Sequence, residues 1–257
     1  MTGVWMFWRY YKDMDSGIHK WSFNDVKLSI LIPVFNEENT LQALLARVLD
    51  SPFQKEVLIV DDGSTDRTPE ILDAFRGRGD VQIFRHDRNR GKGAAVRTAI
   101  AHVTGDIAVI QDADLEYNPQ DYEKLIVPII EGKEKGVYGT RVPMGNPHSY
   151  FRYYLGGRFL SLLANLLYAQ RITDEPCGYK AFDAGFLKSL PLERNGFDID
   201  PELTAKIAKR GIKIREVPIR YTPRSFSEGK KIRWIDGLVA VWVLVKYRFS
   251  PAKQRRG

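Results

Sequence analysis

From residue 27 to residue 141, short apolar, β-branched runs alternate with stretches of helical spacing, and this alternation restricts the fold more than any other feature of the chain. Residues 28–34, 57–60, 81–84, 107–110 and 136–138 read as buried strands, and residues 39–49, 68–75, 93–103 and 120–131 as helices. Strands that are apolar throughout need cover on both faces, which a parallel sheet built from strand–helix–strand units supplies. Ligands of such sheets bind at the carboxyl ends of the strands. The length of 257 residues and the 44% hydrophobic content suit about one domain with a sizeable core. Cys177 is the single cysteine, which excludes an internal disulfide framework and a multi-cysteine zinc site.

Beyond Arg141 the pattern changes. Residues 150–170 form a long helical candidate with Phe151, Leu155, Phe159, Leu163 and Leu166 near one face. Residues 235–249 form a second, flanked by Trp234, containing Trp242 and ending in Lys246 and Arg248. Two readings stand for both: core or oligomer-interface helices, or helices lying in a membrane interface with aromatic and basic residues at headgroup level. Between them lie a strand candidate at 213–221 and a loop at 222–231 dense in Arg, Lys, Gly and Ser. No apolar run reaches the roughly 18 residues that span a bilayer. The first 26 residues mix Trp and Tyr with charges and do not read as a cleaved signal peptide.

The net charge of +7 divides into −4 over residues 1–150 and +11 over residues 151–257. A basic half points to nucleic acid, an anionic lipid surface or a phosphorylated substrate; a solvated basic face without a partner is the plain alternative.

Three segments carry chemistry. Asp61-Asp62-Gly63-Ser64-Thr65-Asp66 follows a strand, with Asp66 as a structural cap and Asp61 and Asp62 open to either a turn or a ligand role. In Gln111-Asp112-Ala113-Asp114-Leu115-Glu116 alternate residues of extended backbone share a side. Asp112, Asp114 and Glu116 can therefore converge on Mg²⁺ or Mn²⁺, with substrate phosphates completing the shell. Asn89-Arg90-Gly91-Lys92-Gly93-Ala94-Ala95 opens a helix but lacks phosphate-loop spacing, and reads as a tight turn with close packing at Gly93, Ala94 and Ala95.

In their order and spacing these pieces resemble the inverting nucleotide-sugar glycosyltransferases of family 2, nearest the branch of dolichol-phosphate mannose synthase and other polyprenyl-phosphate glycosyltransferases. The residues that carry the resemblance are Ile32-Pro33-Val34-Phe35-Asn36-Glu37, Val60 to Asp66, Asn89 to Gly93, Asp112-Ala113-Asp114 and Arg224-Ser225-Phe226-Ser227-Glu228-Gly229-Lys230. The resemblance implies an α/β GT-A fold: a Rossmann-like, mostly parallel sheet flanked by helices, with amphipathic helices toward the carboxyl end. It implies a nucleotide-sugar donor and a Mg²⁺ or Mn²⁺ ion. Pro33, Phe35, Glu37, Val60 and Asp62 match the nucleoside pocket, and Asp112, Ala113 and Asp114 the diphosphate and metal site, with Glu116 where a Gln ligand is usual. Arg141 matches an arginine near the reacting phosphates, and Arg224 and Lys230 the clamp on the donor diphosphate. Asp114, Arg141, Arg224 and Lys230 are thus the expected catalytic set. Gly229 and Phe35 depart from the family's Ser and Tyr, and Asp174 to Lys180 look more like the glucosyl-transferring branch. UDP-glucose, UDP-N-acetylglucosamine and GDP-mannose all fit these motifs.

A polyprenyl or dolichyl phosphate acceptor is already anionic at neutral pH and needs cationic positioning rather than a base. Arg141, Arg152 and Arg158 are the expected acceptor-phosphate residues. Residues 1–26 read as an aromatic extension, 27–231 as the catalytic domain and 232–257 as a basic amphipathic helix. The expected setting is the cytoplasmic membrane surface, with peripheral contact and no nucleic acid. Two alternatives remain: a soluble hydroxyl acceptor with Glu202 or Asp200 as base, and a non-enzymatic binder of nucleic acid or anionic surfaces.

Overall fold

A computed structural model describes residues 25–142, 151–224, 231 and 233–250, without the side chains of 151 and 152. The strands are β1 (Leu28–Val34), β2 (Lys55–Asp61), β3 (Val81–Arg85), β4 (Ile107–Ile110), β5 (Gly136–Thr140), β6 (Lys180–Asp183) and β7 (Arg215–Pro218). The helices are α1 (Leu41–Asp50), α2 (Thr68–Asp73), α3 (Lys92–Ala101), α4 (Tyr122–Ile130), α5 (Phe151–Tyr168), α6 (Ala184–Ser189), α7 (Ile199–Lys209) and α8 (Trp234–Phe249).

The sheet order is β3-β2-β1-β4-β6-β5-β7. β1 runs parallel to β2 and β4, β2 parallel to β3, and β5 parallel to β7. β6, which the sequence pattern does not reveal, lies antiparallel between β4 and β5. The expected mostly parallel α/β sheet is therefore present with one reversed strand.

Alternation along each strand sends its side chains into two cores. Leu28, Ile30, Ile32 and Val34 of β1 pack toward α1 and α4. Leu31, with Leu58 and Val60 of β2, packs with residues of α3, α7 and α8. Covered on both faces, these strands carry no polar side, as the sequence predicts.

Register fixes the position of the site. Val34 pairs with Asp61, and Leu31 pairs with Ile110, so Phe35–Glu37, Asp62 and Asp112–Asp114 leave β1, β2 and β4 at one sheet edge. The reversal of β6 brings in a segment that precedes a strand: Ile110 pairs with Lys180, which sets Asp174 to Tyr179 beside the end of β4. Arg141 follows β5 at the same edge.

The two carboxyl-side helical candidates appear as α5 and α8, and the outer face of α5 differs from expectation. Leu163 turns partly inward against the core, and Leu162 takes its place on the outside. Among the described residues no helix is long and apolar enough to cross a membrane.

Candidate active site

A cavity of about 810 Å³ opens at this edge. Pro33 in β1 and Phe35 and Glu37 after it line the cavity, with Asp112, Ala113, Asp114 and Glu116 after β4, and Arg141 and Arg224 after β5 and β7.

Arg224 holds the charged end together. Its Nη1 donates to Glu37 Oε2 at 3.0 Å, and its Nη2 donates to Glu37 Oε1 at 3.2 Å and to Asp114 Oδ2 at 3.0 Å. Its backbone N–H donates to Glu116 Oε1 at 2.9 Å. Lys231 adds its ammonium to Glu37 and to the Phe35 carbonyl. Burial, then the carboxylates of Asp112 and Glu116, push Asp114 up to about 7 against the opposing pull of Arg224.

Lys92, which the sequence reading treated as part of a turn, also lines this cavity. Its ammonium lies 2.8 Å from Asp112 Oδ1 and 3.8 Å from Asp200 Oδ2. Burial lowers its pKa, but Asp112 and Asp200 outweigh burial and raise it overall, so the group stays charged. Gly178 makes the pair possible: a Cβ there would stand 2.4 Å from Asp112 Oδ2 and 2.8 Å from Lys92 Nζ. The remaining signal in the sequence was a lysine at the first position of a helix that follows a strand.

The amides at the start of α3 are not a phosphate cradle. Gly93 and Ala94 donate their N–H groups to the carbonyls of Gly196 and Asn195 at 3.2 and 3.0 Å. Gly91, at φ +98°, sits where a Cβ would lie 2.4 Å from the Asn195 oxygen. The expected tight turn and close packing are present.

Asp62 borders the cavity, and its oxygens are engaged by the protein. Oδ1 meets His86 Nδ1 at 2.5 Å, and the N–H groups of Arg90 and Gly91 reach the carboxylate at 2.7–3.1 Å. It therefore shapes residues 89–91 around the pocket. Val60 lies inside the core facing α3 rather than on the cavity wall, because its strand position alternates away from the opening. Asp66 accepts from Thr68 N–H at 3.0 Å and from Glu38 N–H at 3.1 Å, the capping role read from its turn.

Arg141 forms a two-pronged pair with Asp174, at 2.8 Å from Nε and 2.7 Å from Nη2, and its guanidinium lies 5.0 Å from the Tyr221 ring centre. Burial works against the charge of Asp174, but Arg141 outweighs it and holds the carboxyl below its usual range. Arg158 is exposed and donates to the Thr173 carbonyl at 2.9 Å, on the loop beside Asp174. Lys230 and the side chain of Arg152 lie outside the described residues.

The proposed bases take other roles. Glu202 is fully buried and accepts from the N–H groups of Glu193 and Arg194, from Lys206 and from the Tyr247 hydroxyl. It ties α7 to α8 and is closed to any acceptor. Asp200 lines the cavity but is paired with Lys180, itself fully buried, and faces Lys92. Its two oxygens thus face ammonium groups of the protein itself.

The donor set suits a divalent ion in part. Oxygen ligands and a mutually repelling acidic wall fit Mg²⁺ or Mn²⁺. Among the described residues, however, no three ligating side chains gather at one point. Glu116, the expected third ligand, accepts from the Arg224 N–H, just as Asp114 accepts from the Arg224 guanidinium and Asp112 pairs with Lys92. Asp112 and Asp114 both present carboxylates to the cavity.

Residues 29–190 match the model of glycosyl transferase family 2. Glycosyltransferase AglJ of Haloferax volcanii is 32% identical over 197 residues, 76% of this chain and 63% of that protein. The UDP-N-acetylglucosamine–dolichyl-phosphate N-acetylglucosaminyltransferase of Methanococcus voltae is 30% identical over 232 residues, 81% of this chain and 91% of that protein. The undecaprenyl-phosphate 4-deoxy-4-formamido-L-arabinose transferase of Edwardsiella ictaluri is 30% identical over 209 residues, 79% of this chain. This chain thus spans less than two thirds of the Haloferax and Edwardsiella proteins, 63% and 62% of their lengths. Glucosyl-3-phosphoglycerate synthase from Mycobacterium tuberculosis in complex with UDP shares the fold, with a TM-score of 0.69 at 18% identity over 91% of this chain and 87% of that one. The same synthase has been crystallised with Mn²⁺ or Mg²⁺ and UDP. With a GT-A sheet, a charged cleft at its carboxyl edge and a family match over most of its length, the chain belongs to glycosyl transferase family 2.

Proposed function

We propose that this glycosyltransferase moves a hexosyl unit from a nucleotide-diphosphate sugar to a polyprenyl or dolichyl phosphate, with inversion at the anomeric carbon. The observation that carries the reading is a cavity lined both by charged groups, among them Asp112, Asp114, Lys92 and Arg224, and by Leu160 of α5 and Gly237 and Ala240 of α8. A nucleotide sugar suits the charged groups, and a phosphate on an isoprenoid chain suits a cavity to which α5 and α8 also contribute. The Methanococcus and Edwardsiella relatives, named for dolichyl-phosphate and undecaprenyl-phosphate transfer, support the same acceptor class.

An acceptor phosphate oxygen forms the new bond to the anomeric carbon as the bond to the donor diphosphate breaks. The nucleoside diphosphate leaves with the electron pair. A Mg²⁺ or Mn²⁺ ion held by Asp112 and Asp114 would neutralise charge on the departing diphosphate. Arg224 faces the same place and supplies fixed positive charge there, which is strongest in a site closed to water. Lys92 keeps Asp112 oriented, and Arg141, fixed by Asp174, offers a positioned cation toward the acceptor. No base is required, which agrees with the engaged states of Glu202 and Asp200.

A lipid acceptor sets the reaction at a membrane surface, reached by peripheral contact from the cytoplasmic side. The test is transfer of radiolabelled sugar by Asp114→Ala and Arg224→Ala variants. Loss of transfer in both supports these roles, and full activity in either removes them. Transfer to a soluble hydroxyl acceptor without lipid phosphate would replace the reading.

A further inference from the structure

Glu175 takes no part in the transfer chemistry proposed above, yet it lines the same cavity and is fully buried. Its N–H donates to Ser161 Oγ of α5 at 2.9 Å, and its Oε1 accepts from Thr204 Oγ1 of α7 at 3.1 Å. Among the described residues its Oε2 has no hydrogen-bond partner. The ammonium of Lys180, also fully buried, is engaged elsewhere: by Asp200 Oδ1 at 2.5 Å and by the carbonyls of Cys177 and Glu175. Burial pushes the Glu175 carboxyl up to about 7 against the pull of Lys180. A buried carboxylate oxygen without a donor is costly, and the cost falls away once a ligand supplies one.

The sheet places this residue relative to a donor. β1, β4 and β6 are neighbours, so the turn after β1, the acids after β4 and the segment before β6 follow one another along one edge. A nucleotide sugar lying along that edge, with its nucleoside at Phe35 and Glu37 and its diphosphate at Asp112 and Asp114, carries its hexosyl unit to the segment before β6. That segment abuts the proposed diphosphate position, since a Cβ on Gly178 would stand 2.4 Å from Asp112 Oδ2. Charge narrows the ligand further. A phosphate would meet like charge at the Glu175 carboxylate, and a metal ion would meet the ammonium of Lys180. A sugar hydroxyl brings a proton without a charge, and an ionised acceptor makes that hydrogen bond a strong one.

We propose that Glu175 is a specificity residue for the donor: its Oε2 accepts a hydrogen bond from one hydroxyl of the hexosyl unit, and this contact selects the nucleotide sugar. Thr204 holds Oε1, which leaves Oε2 for the ligand. A site built to pair with a hydroxyl rejects an analogue lacking it, because the buried partner is then left without a donor. The proposal rests on the nucleotide-sugar donor proposed above and is independent of the lipid acceptor.

The experiment is titration calorimetry of the full chain with Mn²⁺, comparing the wild type with Glu175→Gln. This variant keeps the shape and can still accept from Thr204, but it offers an amide donor in place of Oε2. The probes are UDP-glucose, UDP-N-acetylglucosamine and GDP-mannose, UDP and GDP alone, and forms of the preferred donor that each lack one sugar hydroxyl. Glu175→Gln is expected to weaken the preferred nucleotide sugar by about tenfold or more, with UDP and GDP within about twofold of the wild type. One deoxy donor should lose as much with the wild type and nothing further with the variant, because both changes remove the same contact. Equal weakening of nucleotide sugar and nucleoside diphosphate, or losses that multiply for every deoxy donor, would leave Glu175 a structural role and overturn the proposal. So would a variant that binds every nucleotide sugar like the wild type, or a wild type indifferent to every deoxy change. Failure of the wild type to bind any of these nucleotide sugars overturns the donor reading and the proposal together. The expected binding pattern without transfer to lipid phosphate sinks the acceptor reading alone.

Discussion

Charge placement at single residues decides most of the site. Asp112 and Asp114 could be found in the sequence because charged groups at the ends of apolar strands need partners, and Glu37 and Arg224 through the family resemblance. Replacing Asp114 or Arg224 with Ala is expected to lower kcat/KM by a factor of about 10²–10³, the usual effect of removing one electrostatic stabiliser, as checked by radiolabelled transfer. The Asp112→Asn variant should also raise the Mn²⁺ concentration needed for half-maximal activity by an order of magnitude or more, because it weakens one of the two ligands. Lys92 was not legible, since the Gly-rich turn around it accounts for itself by packing and only the fold sets its ammonium on Asp112. Gly178 was equally silent. Gly178→Ala should push Asp112 and Lys92 apart, and loss of transfer with an unchanged melting temperature is the expected outcome. Glu202 illustrates the reverse case: its acidic neighbours Asp198 and Asp200 suggested a base, yet its oxygens are consumed by the N–H groups of Glu193 and Arg194.

Elements that alternate strand with helix were readable, whereas β6 was not. Its four residues, Lys180–Asp183, are too few to declare a period, and their direction follows from pairing with Ile107–Ile110. That single reversal brings Asp174 and Gly178 to the site. The join between α3 and the loop at 194–196 was legible in Gly91 and Gly93, but not its partner. Gly91→Ala should destabilise the protein by about 1–3 kcal/mol from backbone strain alone, and by more through the collision with Asn195, measured by urea unfolding. β2 is secured to the loop before β4 by Glu56, which accepts from Ser29, Lys27 and the Thr104 N–H. Burial disfavours its charge, but the hydrogen bonds from Ser29 and Thr104 outweigh that and lower the carboxyl from 4.5 to about 2. Because the folded value lies below the unfolded one, this stabilisation is present above pH 4.5 and is lost as pH falls toward 2. Glu56→Gln should therefore be less stable at neutral pH and show a flatter acid limb in unfolding experiments across that window.

At the scale of the whole molecule, charge divides between the two halves of the chain. Its acidic half carries the strand ends at which the cation and diphosphate are proposed to bind, and its basic half carries α5 and α8. That division was visible as −4 and +11 in the chain, but charge alone could not tell nucleic acid from lipid. The large exposed apolar groups of the described residues all stand on α5 and α8, which favours the proposed lipid acceptor. The most direct measurement incubates the purified full chain with radiolabelled UDP-glucose, UDP-N-acetylglucosamine or GDP-mannose, polyprenyl phosphate in vesicles and Mn²⁺, then partitions the label between water and solvent. One of these donors is predicted to yield a solvent-soluble, acid-labile sugar phosphate that disappears with chelator and in Asp114→Ala. Label that stays in water with every donor, while the wild type remains folded and binds nucleoside diphosphate, would contradict the account.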